Sequence, residues 1–423
     1  MTCRDHLPAL LLIALLSAFA FWGASRVPFH PDESTQLFTS ADFDLLLTRP
    51  AALGWQPGHD ADLRQRYRLL DAPLTRYLLG AGRTLAGLPP LPADWDWGAT
   101  WEANSAAGAL PAPALLRTGR YAVTALLPLT LLLLYLTGCA LGGRRVGLLA
   151  VLLLGMHPLV LLHARRAMAE GALLFGVTCT LWALLAAPAR ARALWLGLAL
   201  GLAVNAKQSA LALVLLVFPR VGGNRRRSVR FLQPHGLLSI VRSLLLLVGI
   251  SVLLNPVFWS HPISAMRSAI RLRADLAARQ AADTARLAPG ALLDTPAKRI
   301  IALLGNLYVT PPQFAEVGNY TAATAPSEAA YRANPLHTWG RGLWGGAFFL
   351  VLTLIGMGRG VREIWRRGAA PGETEATQKV IWLLAATALQ AGALLVMIPL
   401  PWQRYTVPLL PMAALWEAYA IKK

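Results

Sequence analysis

Long apolar runs recur along this chain of 423 residues and constrain its fold more than any other feature. Several approach twenty residues, the length that an α-helix needs to cross the hydrocarbon core of a bilayer. Charged residues make up 14% of the chain, against about 25% in an ordinary soluble domain. The sequence therefore predicts an all-α polytopic membrane protein. The predicted spans are 7–24, 119–139, 146–163, 171–187, 237–256, 341–357, 380–398 and 405–420.

The apolar run 193–219 has two interpretations, one long helix or a hairpin of two short ones, because the polar cluster 205–209 interrupts it. The connections that flank the run, 188–192 and 220–230, are rich in Arg, and such connections usually stay in the cytoplasm. This pattern favours a hairpin, which gives about ten transmembrane helices with both termini inside. The excess of Arg and Lys in the cytoplasmic connections of this topology accounts for most of the net charge of +19. Because no zinc or RNA-binding motif accompanies the basic residues, we expect no nucleic-acid partner.

The first span also has features of a signal peptide, because Ala18-Phe19-Ala20 could form a cleavage site. The apolar run continues past that site, which favours an uncleaved anchor. Two large outer loops are predicted, and the amphipathic run 263–287 in the second is typical of a helix at the membrane surface. We expect a first span (1–24), an outer loop (25–118), a transmembrane bundle (119–256), a second outer loop (257–340) and C-terminal spans (341–423).

Adjacent carboxylates, Asp32 and Glu33, follow the first span directly. A carboxylate near low-dielectric surroundings can serve as a general base. The alternative is a pair of acids that only opens a helix, where negative charge is favoured. Arg165 and Glu170 lie in a short outer turn and offer a cation for a phosphate and a further carboxylate. Their alternative role is an ion pair at the interface, which would contribute little stability.

Three further outer segments carry candidate residues. Lys207 lies inside an apolar run, where a charge suggests a functional role such as binding an anionic headgroup, or else the polar tip of a hairpin. Arg404 is suited to grip a phosphate, whereas Tyr405 beside it could be an aromatic interface anchor. His261 lies just after another predicted span leaves the membrane on the outer side. The outer histidines show no ligand spacing that defines a metal site, so we predict none, although a divalent cation would be compatible with the carboxylates.

Taken together, the motifs resemble those of membrane glycosyltransferases with the GT-C fold. The group concerned is glycosyltransferase family 39, with the protein O-mannosyltransferases and aminoarabinose transferases. The shared features, in order, are Asp32-Glu33, the Pro-Leu-x-x-Tyr-Leu segment at 73–78, the Ala-Arg-rich turn at 164–170, the Lys-containing hairpin at 203–209 and the Arg-Tyr-x-x-Pro segment at 404–408. Each motif is weak alone, and their order and sidedness together are more specific. Because Lys423 follows the last predicted span directly, we expect no soluble C-terminal domain of the kind some relatives carry.

The resemblance implies transfer of a mannose-like hexose from a polyprenyl-phosphate donor to an acceptor hydroxyl on the outer face of the plasma membrane, with inversion. Asp32 would be the general base, with Glu33 and Glu170 as positioning groups. Arg404 would hold the phosphate with Lys207 or Arg165, and the remaining candidates would contact substrate. The partners would be the lipid-linked donor, membrane lipid and a protein, lipid or glycan acceptor.

Two other functions are compatible with the architecture. The first is a transporter or flippase of a lipid-linked sugar, but such proteins commonly have two related halves with broken helices at the midplane. The sequence shows no such halves, and its polar residues gather at one face. The second is a non-catalytic membrane subunit, against which the intact Asp32-Glu33 pair argues.

Overall fold

The computed structural model describes residues 6–59, 62–218, 234–315, 318–368, 375–397 and 400–422, and within these ranges it contains helices and no β-strand. The Arg-rich connection 220–230 lies outside the described residues. The α-helices, in chain order, are α1 (Leu7–Ala24), α2 (Pro31–Thr39), α3 (Asp42–Thr48), α4 (Leu63–Leu70), α5 (Leu74–Leu85), α6 (Trp101–Ala106), α7 (Pro113–Thr124), α8 (Leu126–Gly142), α9 (Arg144–Gly155), α10 (Pro158–His163), α11 (Ala169–Leu185), α12 (Arg192–Ala206), α13 (Pro234–Leu254), α14 (Pro262–Leu287), α15 (Pro296–Leu304), α16 (Thr321–Arg332), α17 (Gly342–Gly368), α18 (Glu375–Met397) and α19 (Leu410–Ala420).

Five helical segments of the described chain are long and apolar enough to cross a membrane. They are Leu7–Ala24, Pro113–Gly142, Leu237–Leu254, Gly342–Arg366 and Glu375–Met397. Two shorter apolar segments, Ala169–Leu185 and Gln208–Val217, accompany them. The predicted helical, polytopic membrane protein is therefore confirmed. The figure of about ten spans stays a prediction, because the remaining predicted spans correspond to shorter or broken helices.

Proline and polar residues explain where the apolar runs break. The predicted span 146–163 is divided into α9 and α10, because Pro158 lacks the N–H that a continuous helix would need. His157 caps the new helix by accepting a hydrogen bond from the backbone N–H of Leu159 at 3.2 Å. In the run 193–219, α12 ends at Lys207, whose backbone is extended, and a 3-10 helix follows over Gln208–Val217. The interruption predicted at the polar cluster is thus present.

Small residues allow the bundle helices to approach closely. α11 packs against α12, α12 against α13, and α17 against α19. A Cβ atom added to Gly176 would lie 2.6 Å from the Cα of Ala203, so α11 and α12 contact each other backbone to backbone. Apolar helices in lipid gain little from hydrophobic burial against each other and depend on such close packing. This packed bundle supplies the rigid base for the polar segments at one end.

The segments between α1 and α7 and those between α13 and α17 lie together at one end of the bundle, here called the loop end. α4 of the first segment packs against α14 of the second. The amphipathic helix predicted over 263–287 is observed as α14, which leaves Ile263 and Ile270 exposed on one face. The other face carries Arg273 and Arg279 towards the space beneath the loops. The two segments thereby roof a cavity over the bundle.

Candidate functional site

A polar cavity of about 1640 Å³ lies at the loop end, between the roof and the bundle. Its walls come from α2, α4, α14, the start of α11, the break after α12 and the segment before α19. Five of the eight residues predicted from the sequence line it, and they come from widely separated parts of the chain. They are Asp32, Glu170, Lys207, Arg404 and Tyr405.

The start of α2 determines which of the adjacent acids reaches the cavity. His30 is the N-cap, and its Nδ1 accepts a hydrogen bond from the backbone N–H of Asp32 at 3.1 Å. Pro31 occupies the first turn, where a missing N–H costs nothing. Successive residues of a helix point about 100° apart. Asp32 consequently lies in the cavity with 30% of its side chain exposed, whereas Glu33 is completely buried.

Glu33 joins three elements beneath the site. Its carboxylate accepts two hydrogen bonds from Arg120 of α7, at 2.8 and 2.7 Å, and one from the backbone N–H of Ala167 at 2.9 Å. Burial raises the pKa of Glu33, but the charges of Arg120 and Arg166 outweigh burial and hold the pKa below its usual range. Glu33 is therefore ionised and fixed, and it does not line the cavity. The helix-opening alternative accounts for its place at the start of α2.

The two cations predicted from the sequence that line the cavity are each paired with one of the predicted acids. Arg404 donates a hydrogen bond to the carboxylate of Asp32. Lys207 donates to Oε1 of Glu170 at 2.5 Å. The second oxygen of Glu170 is buried and has no hydrogen-bond partner among the described residues. The Nζ of Lys207 also lies 5.5 Å from the ring centroid of Tyr405, within range of a cation–π contact. The predicted residues thus form two acid–base pairs in the cavity, and one carboxylate oxygen of Glu170 has no hydrogen-bond partner among the described residues.

Arg165 and His261 lie elsewhere. Arg165 is fully buried and donates to the carbonyl oxygens of Phe19 and Ala20, at 2.8 and 3.1 Å, near the C-terminal end of α1. The C-terminal end of a helix carries partial negative charge, which explains a guanidinium at this position. His261 precedes α14 and contacts Trp55 edge to face at 6.0 Å between ring centroids. Neither residue lines the cavity, so the structure gives neither a place beside the other candidates.

Sequence reasoning missed several residues that the fold brings to the cavity. Asp94 accepts hydrogen bonds from the hydroxyls of Thr35 and Tyr67, at 2.7 and 2.5 Å. Asp71 lies 4.0 Å from Arg273 of α14. Two signals could have indicated them. Asp71 stands directly before the Pro-Leu-x-x-Tyr-Leu segment, and Asp94 opens the run Asp-Trp-Asp-Trp-Gly at 94–98, where acids alternate with tryptophans.

Asp71 and Asp94 hold protons more tightly than free carboxylates. Burial raises the pKa of Asp71, the charges of Arg273 and Arg76 oppose it, and the charge of Asp32 raises it again. Burial also raises the pKa of Asp94, against the hydrogen bonds from Tyr67 and Thr35. Asp32 therefore lies near Asp71 and Asp94 as well as near its cationic partner, Arg404. In the described part of the chain, no group of three His, Cys, Asp or Glu side chains is arranged to hold a metal ion.

Comparisons with known proteins bear on the same segments. The family model described as dolichyl-phosphate-mannose-protein mannosyltransferase matches residues 63–221. The resemblance is confirmed. The matched stretch contains three of the five motifs, at 73–78, 164–170 and 203–209. Asp32 and Arg404 lie outside it and meet the matched segments only in the folded cavity. A search of curated protein sequences finds no match.

Solved structures show the fold. The oligosaccharyltransferase of Archaeoglobus fulgidus in complex with Zn and sulfate is 13% identical, with a TM-score of 0.51, and the alignment covers 97% of this chain and 48% of that one. Its form tethered to an acceptor peptide gives a TM-score of 0.51, 13% identity and coverage of 99% and 49%. The Pmt1-Pmt2 protein O-mannosyltransferase complex of S. cerevisiae is 16% identical, with a TM-score of 0.39 and coverage of 61% and 34%. The chain has the GT-C fold and spans about half the length of the oligosaccharyltransferase.

Proposed function

We propose that this protein is an integral membrane glycosyltransferase that moves a mannose-like hexose from a polyprenyl-phosphate donor to an acceptor hydroxyl, with inversion. The observation that carries the proposal is the cavity in which Asp32, Glu170, Lys207 and Arg404 meet over a bundle of apolar helices. The match to the mannosyltransferase family model supports the reaction class.

Donor binding uses the cations of the cavity. The polyprenyl chain lies between the membrane spans, and its phosphate is held by Arg404 together with Lys207. A guanidinium binds phosphate oxygens through two parallel hydrogen bonds. Before binding, Arg404 is occupied by Asp32. The phosphate takes the place of Asp32 on Arg404, and a carboxylate released from a guanidinium accepts a proton more readily. Donor binding thereby prepares the base.

Transfer is a single displacement. The acceptor oxygen attacks the anomeric carbon as its proton passes to Asp32, and the bond from that carbon to the phosphate oxygen breaks. The bonding electrons leave with the phosphate, so the products are the inverted glycoside and free polyprenyl phosphate. Paired with two cations, the phosphate is a good leaving group and needs no general acid. The unsatisfied Oε2 of Glu170 accepts a hydroxyl of the donor sugar, and Glu33 fixes α2 so that Asp32 points into the cavity.

The reaction takes place on the outer face of the plasma membrane. The Arg-rich connections at 143–145 and 188–192 lie between helices of the bundle and favour the cytoplasm. The loop end of the bundle is then outside, where the acceptor reaches the cavity. A protein, a lipid or an envelope glycan could serve as acceptor in this arrangement.

The test compares wild-type protein with Asp32→Asn, in lipid nanodiscs with a polyprenyl-phosphate [14C]mannose and crude envelope material as acceptor. We expect release of polyprenyl phosphate by the wild type and a rate reduced about 10²- to 10⁴-fold in the variant, the usual contribution of a general base. Glu102→Gln, which alters an exposed acid of α6 that does not line the cavity, is the matched control. Wild-type activity in Asp32→Asn would remove Asp32 from the role. No release from wild type with several hexoses would favour a flippase.

A further inference from the structure

The segment 94–98 forms part of the cavity wall, and all five of its residues line the cavity. Its two tryptophans have different environments. Trp95 is buried and packs edge to face against Trp101, with ring centroids 5.6 Å apart. Trp97 lines the cavity with 37% of its surface exposed. A large aromatic ring is thus presented to a polar, open space.

The backbone of this segment is held from two directions. Asn104 of α6 accepts a hydrogen bond from the backbone N–H of Asp96 at 2.7 Å and donates to its carbonyl at 2.9 Å. From the second loop, Asn319 donates to the carbonyls of Trp97 and Ala99, at 3.1 and 3.0 Å. Trp97 also contacts His30 and Tyr320 edge to face. An exposed indole held in this way is preorganised, so a ligand that packs on it does not bear the entropic cost of ordering the loop.

Carboxylates flank the indole. Asp94 is fixed by Thr35 and Tyr67, and Asp96, which also lines the cavity, is exposed. Thr35 lies one helical turn after Asp32 on α2. Contacts therefore join Asp32 of α2 to Arg404, and Thr35 of the same helix to Asp94. The acceptor of an inverting transfer approaches the anomeric carbon opposite the phosphate, so a wall that meets α2 at Thr35 rather than at Arg404 is suited to hold it.

We infer that Asp94, Asp96 and Trp97 form the acceptor subsite and that it takes a sugar residue, so that the acceptor is a glycan. This inference rests on the proposed function. The C–H face of a pyranose packs on an aromatic ring, and its hydroxyl groups donate hydrogen bonds to carboxylates. A wall that carries an indole and two carboxylates offers both kinds of contact. An extended peptide acceptor requires partners for its backbone amides and carbonyls, whereas this wall offers side-chain acceptors and an aromatic face.

Equilibrium binding of soluble acceptor probes without donor tests the subsite independently of catalysis. The probes are a manno-, a gluco- and a galacto-trisaccharide, and a Ser/Thr-rich peptide, measured by saturation-transfer NMR on protein in nanodiscs. We expect at least one trisaccharide to bind, binding about tenfold weaker in Trp97→Ala, near-normal binding in Trp97→Phe, and no binding of the peptide. Trp365→Ala, at a tryptophan of α17 that is 81% exposed and outside the cavity, is the matched control.

The outcomes separate the subsite from the reaction. Trisaccharide binding that depends on Trp97 supports the subsite even if no hexose is transferred, a result that would contradict only the proposed function. Three results, each obtained together with observed transfer, would overturn the glycan subsite and leave the transferase intact. They are the absence of trisaccharide binding, trisaccharide binding that is unchanged in Trp97→Ala, and binding of the peptide instead. If Trp97→Ala fails to fold, Asp96→Asn carries the same comparison, and unchanged binding there contradicts the inference.

Discussion

The ion pair between Arg404 and Asp32 gives Arg404 a role that can be measured at the scale of one residue. Replacing it with Ala removes the charge-assisted contact that we propose with the donor phosphate. We expect KM for the polyprenyl-phosphate donor to rise about 10- to 100-fold, the equivalent of a hydrogen bond to a charged group, while kcat falls less. Steady-state kinetics at varied donor concentration check this. Arg117→Ala, at an exposed residue of α7, is the control. A change confined to the acceptor KM would assign Arg404 to the acceptor instead.

Charge near an apolar run was a good guide to individual residues, and its failures have a common cause. Lys207, Glu170 and Arg404 were found because a charge beside apolar helices needs a reason, and all three line the cavity. Arg165 met the same criterion, yet it satisfies carbonyl oxygens near the end of α1. Asp94 was missed because its neighbours come from distant elements. A sequence shows that a charge must be compensated, but the partner is set by tertiary packing.

At the scale of elements, the Glu33–Arg120 contact joins α2 to α7 and should contribute to stability. Removing one partner of a buried ion pair leaves the other uncompensated, so Glu33→Gln should lower the free energy of unfolding by about 3–5 kcal/mol. Denaturant titration in mild detergent measures it, with Glu102→Gln as the exposed control. A loss within experimental error of that control would contradict a structural role for Glu33.

The same contact predicts a pH dependence. The folded pKa of Glu33 lies below its usual value, so the unfolded chain binds the proton more tightly. The contribution of Glu33 is present above the unfolded pKa, about 4.3 for glutamate, and is lost as pH falls through the folded pKa. Wild-type stability should therefore decline below about pH 4 more steeply than that of Glu33→Gln. Parallel pH profiles of the two proteins would contradict this linkage.

Element boundaries followed from the sequence where a local signal exists. The spans 7–24 and 171–187 and the amphipathic helix at 263–287 match helices almost residue for residue, because apolar and amphipathic periodicity are local properties. The break at Pro158 was not predicted, although proline gives a local reason for it. Packing partners such as α4 on α14 could not be predicted, because they depend on how two distant loops fold together.

At the scale of the whole molecule, the proposed orientation is open to direct labelling. In a background without the three native cysteines, single cysteines are introduced as Arg190→Cys and Arg267→Cys, both at exposed positions. We expect a membrane-impermeant maleimide to label intact cells at position 267 and to reach position 190 only after permeabilisation, because the Arg-rich connection stays inside. Labelling of both sites from the same side would contradict the orientation.

Asp32 and Arg404 contact each other although 372 positions separate them along the chain. Cells build the polypeptide from its N-terminus at roughly 5–20 residues per second. The carboxylate is therefore synthesised early, and its guanidinium partner follows 372 positions later, after some tens of seconds. Throughout that interval the nascent chain has the proposed base but lacks Arg404, one of the two cations proposed to bind the lipid phosphate. In the proposed mechanism, the order of synthesis therefore delays completion of the donor site until the segment that carries Arg404 is made.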